Sequence, residues 1–137
     1  MNRIDLQELS EIRIQEARAL LDAGFPDGAY YLAGYAVECA LKSCVAKRTR
    51  ERDFPDKKLV TDSHTHDLAK LLQLAELKVG LESSMQGNPA MQSSRDEIQD
   101  WSETTRYERK SHQEASDLLQ AIDDRPGGLL SWIKLHW

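Results

Sequence analysis

Tyr31, Tyr35, Glu38 and Lys42 follow one another at steps of four, three and four. On a helix that spacing puts two phenols, a carboxylate and an ammonium on one face. Three uses of such a face are open. It could be a half-buried edge, with Glu38 and Lys42 as an i,i+4 pair worth roughly 0.2–0.5 kcal/mol. It could be the contact face of a dimer, where amphipathic Tyr is favoured. It could also line a polar pocket that binds a nucleotide or a partner chain. Arg13 joins this set because it falls inside an otherwise apolar helical stripe. Such an Arg either lays its stem over the core edge or pairs with a buried acid. If the first two helices pack antiparallel across Gly24–Gly28, the nearest acid is Glu38, and an Arg13–Glu38 contact is expected.

Other chemistry-bearing residues are less well organised. His64 and His66 stand beside Asp62 and Asp67, but two His on a loop without further His or Cys nearby make a poor ligand set. No metal is assigned to them, and no cofactor is required. Cys39 and Cys44 lie about 140° apart on a helix, so they should not bond to each other and read as buried structural thiols. Lys47, Arg48, Arg50, Arg52, Lys57 and Lys58 form the one basic region, interrupted by Glu51, Asp53 and Asp56. It is either a helix end whose cations suit the macrodipole, followed by a solvated loop, or a strip that contacts RNA phosphates. The net charge of −5 argues against bulk attraction to nucleic acid.

These residues must be positioned by helices. Ala29 to Leu41 contains one charge, Glu38, and a helix apolar nearly all round belongs inside a bundle. Before it, Leu6, Leu9, Ile14, Ala17, Leu20 and Leu21 form a stripe about 140° wide on a helix expected over about 5–23, stopped by Gly24 and Pro26. After it, Ser63 or Thr65 should cap a helix bearing Leu68, Leu71, Leu72 and Ala75. A break or loose connection is expected from Gly80 to Pro89. A short helix over about 94–104 should carry Trp101. Ser111 with Glu114 is a capping box opening a helix with Ala115, Leu118, Leu119 and Ile122 on one face. Leu129, Leu130, Trp132, Ile133 and Trp137 form a short amphipathic helix that should dock on the bundle. No stretch alternates like a strand. The expectation is an all-α, up-and-down helical bundle of about five helices with a short C-terminal helix, one domain over 1–137. At 137 residues, 40% apolar and 30% charged, the chain can build one core. With no apolar leader or membrane-length run, it reads as cytoplasmic with no membrane partner.

The pattern resembles the HEPN domain family. The resemblance is carried by Arg13 with Glu16 and Ala17, by Ala29-Tyr30 followed by Ala33-Gly34-Tyr35-Ala36-Val37-Glu38-Cys39-Ala40-Leu41-Lys42, by His66-Asp67-Leu68, and by Trp101 ahead of Arg106-Tyr107. The Gly34–Lys42 block is its most specific part. The resemblance implies a helical bundle that usually forms a homodimer. Many members are metal-independent endoribonucleases, often toxins of toxin–antitoxin pairs, whose Arg and His meet across the dimer. Others are nucleotide-binding modules or partners of minimal nucleotidyltransferases. It also implies a candidate catalytic pair here, Arg106 and His112, separated by five residues. In RNA cleavage without metal, His112 would take the 2′-hydroxyl proton and Arg106 would stabilise charge growing on the phosphate. Imidazole exchanges protons near neutral pH, and guanidinium matches phosphate geometry. Arg109 and Lys110 would add attraction for phosphate.

Overall fold

In the computed structural model, residues 1–51, 57–124 and 127–137 are described, with the Arg50 and Glu51 side chains excluded. Helix α1 (Arg3–Asp22) starts at a capping box in which Asn2 accepts from the Asp5 backbone and Asp5 accepts from the Asn2 backbone. It ends before Gly24, whose φ of +87° is open to glycine at little cost. After a three-residue turn, α2 (Pro26–Glu51) runs 26 residues. The cations Lys47 and Arg48 sit near its C-terminal end, where they suit the helix dipole as the first of the two readings of the basic region has it. Arg52 and the Phe54–Pro55 break lie outside the described residues.

The short elements follow: α3 (Lys57–Asp62), α4 (Leu68–Leu74), α5 (Lys78–Met85), α6 (Pro89–Ile98), a 3-10 helix (Glu103–Tyr107), α7 (His112–Asp123) and α8 (Leu129–Lys134). Among the described residues this makes eight α-helices rather than about five. One break comes before Gly80, at Glu76, whose positive φ of 56° follows α4. A second, at residues 86–88 between α5 and α6, falls inside the expected stretch from Gly80 to Pro89, of which residues 80–85 are helical. Asn88 caps α6 and Pro89 occupies its first turn, a favoured pairing of cap and N1 residue. Trp101 and Glu103–Tyr107 thus leave that helix and form separate structure. Asp67, not Ser63 or Thr65, caps α4 by accepting from the Ala69 and Lys70 backbone N–H groups.

Helix α2 is the centre, and α1, α4, α7, α8 and the 3-10 helix all pack on it. Its register against α1 is antiparallel: Ser10 donates to the Ala36 carbonyl at 2.8 Å, while Leu20 abuts Gly28. Small residues on α2 permit the approach, since Ala29, Ala33, Ala36 and Ala40 are all buried. The opposite side meets Leu118 and Ile122 of α7 and Ile133 of α8 in one core. The C-terminal helix docks as expected, with Leu129, Leu130 and Ile133 buried and the Trp132 indole donating to Ser84 at 3.0 Å.

Candidate functional site

Two groups of polar side chains emerge. The first centres on Glu38, 1% exposed in the middle of α2. A buried carboxylate is costly unless paired, and an ammonium and an imidazole of different origin reach the same oxygen. Lys42, one turn along, puts Nζ 3.0 Å from Oε1. His66, from the loop before α4, puts Nδ1 2.7 Å from it. The other imidazole nitrogen lies 3.4 Å from Glu103 of the 3-10 helix. His66 therefore bridges a buried acid and a surface acid, and ties three separated segments together. The Glu38 Oε2 atom is buried without a hydrogen-bond partner among the described residues.

Arg13 does not take part in this pairing. It forms an ion pair with Glu16 at 2.7 Å and lies over the Tyr35 ring at 5.9 Å. One turn along its own helix, Glu16 is within easy reach of Arg13, while Glu38 is sealed beneath Lys42 and His66. Tyr31 and Tyr35 are half-buried neighbours with ring centroids 6.1 Å apart. Tyr31 also stacks on Trp101, whose indole N–H donates to the Tyr31 carbonyl at 3.2 Å. Burial, with Cys39 and Glu38 nearby, raises the Tyr35 phenol above its ordinary pKa. The face expected from Tyr31, Tyr35, Glu38 and Lys42 thus divides into an aromatic part with Arg13 and an ionic part with His66.

The second group lies on the connection from the 3-10 helix into α7. Arg106, in the last turn of the 3-10 helix, is exposed and stacks over its neighbour Tyr107 at 4.7 Å. His112 is the first residue of α7 and is exposed. Among the described residues, neither Arg106 nor His112 has a hydrogen bond or ion pair. The connection between them is held firmly. The Lys110 backbone N–H donates to Asp27 at 2.6 Å, and the capping box of Ser111 and Glu114 fixes the start of α7. Lys110 itself is committed, with Nζ 3.2 Å from Glu108 and 4.5 Å from the Tyr30 ring. Burial pulls its pKa down, but the hydrogen bond to Glu108, with Tyr30 and Glu114, outweighs this and raises it. Arg109 is exposed. Of the two cations thought to add phosphate attraction, Arg109 is therefore the freer.

His66 is the residue that spacing passed over. The His64-x-His66 pattern suggested only a weak metal site, and among the described residues no three potential ligands gather. The signal that could have found its role is Glu38: a lone acid on an otherwise apolar helix requires a donor from another element. Cys39 and Cys44 are free buried thiols, with burial pushing both up to about 11.

An antiparallel helix pair with a long buried central helix, packed by shorter helices, defines an all-α bundle. A family model described as HEPN domain matches residues 5–124, and the chain belongs to that family. No curated protein and no solved structure matches it. No helix among the described residues is long and apolar enough to cross a membrane.

Proposed function

We propose that this HEPN domain is a metal-independent endoribonuclease acting as a homodimer, of the kind used as the toxin of a toxin–antitoxin pair. The observation that carries this reading is the contrast along one short connection. Lys110 is bound by carboxylates, whereas Arg106 and His112 are exposed without a counter-ion among the described residues. A guanidinium and an imidazole left free in this way can engage a phosphodiester. His112 would accept the 2′-hydroxyl proton as the 2′-oxygen attacks phosphorus. Arg106 would hold the non-bridging oxygens as negative charge grows. The 5′-oxygen then leaves with a proton supplied by an imidazolium, for which the second His112 of a dimer is positioned in this reading.

The test is cleavage of single-stranded and structured RNA in EDTA by wild type, Arg106→Ala and His112→Ala, with oligomeric state read by sedimentation. Both side chains are exposed, so each variant should keep wild-type stability within about 0.5 kcal/mol while losing cleavage. Absence of cleavage by a folded dimer, or cleavage at the wild-type rate by both variants, refutes the enzyme reading.

A second reading is supported by a different observation. Tyr31, Tyr35 and Arg13 form an aromatic and cationic surface beside the Glu38 cluster, suited to stacking a base or meeting a partner chain. In that reading the chain is a non-catalytic nucleotide-binding module, or the partner of a minimal nucleotidyltransferase antitoxin. Saturable nucleotide binding lost in Tyr35→Ala, without RNA cleavage, would favour it.

A further inference from the structure

A cavity of about 520 Å³ opens between α2, α4, α5, α6 and α8. It touches neither Arg106 nor His112. Its wall is apolar, built from Leu41, Leu72, Leu81, Ile98 and Ile133 among others. Its polar lining includes His66, Asp67, Glu103 and Arg95. This is the size and make-up of a small-molecule site: mostly hydrophobic, with a few polar groups to fix orientation.

The charges along its lining decide the ligand class. The Asp67 carboxylate is occupied by the Ala69 and Lys70 backbone N–H groups that it caps. Glu103 lies 3.4 Å from the His66 Nε2 atom. Arg95, in the last turn of α6, is half-buried. It has neither an ion pair nor a hydrogen bond among the described residues. Among the described residues of the lining, Arg95 is therefore the charged side chain left without a partner, and its guanidinium is the group best matched to a carboxylate.

We propose that this cavity binds a small amphipathic carboxylate, its apolar body among the leucine and isoleucine side chains and its head on Arg95. The site is independent of the ribonuclease reading and stands or falls separately. It gives the domain a means of sensing an organic acid, because a ligand that binds only the folded bundle also stabilises it.

The test uses three probes with one chain length, decanoate, decanol and decylammonium, each below its micelle-forming concentration. Binding to the full chain is followed by amide shifts in ¹H–¹⁵N spectra and by the rise in melting temperature. Decanoate should bind at least about tenfold tighter than decanol, the worth of one charge-assisted hydrogen bond. Decylammonium should bind most weakly. Arg95→Gln should reduce decanoate to the affinity of decanol and leave decanol unchanged. Ala69→Trp, at an exposed position on the cavity lining, should weaken all three without disturbing the core. Equal affinity for decanoate and decanol, tighter binding of decylammonium, or no binding of any probe to the folded protein would each overturn the proposal. So would shifts that map away from α4, α6 and α8.

Discussion

Gly34→Ala should be strongly unfavourable although it replaces glycine in mid-helix, where alanine normally gains about 1 kcal/mol. A Cβ at Gly34 would sit 2.2 Å from Cε2 and Nε1 and 2.3 Å from Cδ1 of Trp101, far inside van der Waals contact. The indole has little freedom to retreat. It is 5% exposed, stacked on Tyr31 at 6.1 Å and anchored by its N–H to the Tyr31 carbonyl. Overpacking of this kind costs about 1–3 kcal/mol, and loss of the indole hydrogen bond adds about 1 kcal/mol. After subtracting the helix-propensity gain, the net loss is about 2 kcal/mol, with full expulsion of the indole setting an upper bound of about 5 kcal/mol. For a chain of this length that is a fall on the order of 8 °C in melting temperature. The matched control is Gly80→Ala, whose Cβ would lie 3.7 Å from Trp132, an ordinary contact. It should gain up to about 1 kcal/mol. Urea denaturation gives both values, and near-ultraviolet circular dichroism reports the Trp101 environment. A midpoint for Gly34→Ala equal to or above that of wild type would refute the reasoning, because it would mean the indole is not held against the helix backbone.

The remaining predictions concern the ionic cluster, the α7 cap and the thiols. Glu38→Ala removes the acceptor shared by Lys42 and His66. Both partners keep access to water, so the loss should be about 2 kcal/mol, and Glu38→Met, which refills the space, should lose less; equal urea midpoints for Glu38→Ala and wild type would contradict this. Ser111→Ala breaks the capping box of α7 and should cost about 1 kcal/mol, with faster amide exchange at Gln113 and Glu114; unchanged exchange there would count against it. Cys39 and Cys44, held protonated up to about 11 by burial, should resist thiol reagents in the folded protein at pH 8 and react on unfolding. Their folded values lie above the ordinary 9.0, so the native state binds more protons than the unfolded chain between these limits. Stability should therefore hold below pH 9 and fall as pH rises towards about 11. The double variant Cys39→Ala, Cys44→Ala should show a shallower fall, with the rest contributed by the raised phenols of Tyr30 and Tyr35.

Helical periodicity alone was enough to determine that the bundle is all-α, that Ala29–Leu41 lies at its centre, and that Ser111 opens a capped helix. These are local properties: the apolar stripe, the cap and the turn glycine are written within a few residues of where they act. The division into short helices was less legible. Glu76 adopts a positive φ that its residue type does not announce, and Trp101 leaves α6 because its ring is needed against Gly34, a contact 67 positions away in the chain. The partners of the buried acid were decided only by tertiary structure. Spacing placed Lys42 beside Glu38, but His66 lies 28 residues further along, and no local spacing ties it to that acid. Arg13 pairs with Glu16 because one helical turn brings that acid close, while Lys42 and His66 both lie on the Oε1 atom of Glu38. The cavity beside α4 and its uncompensated Arg95 likewise arise from five helices meeting. Sequence patterns fix which face of each helix is apolar, and only packing decides which of those faces close on one another and which leave room between them.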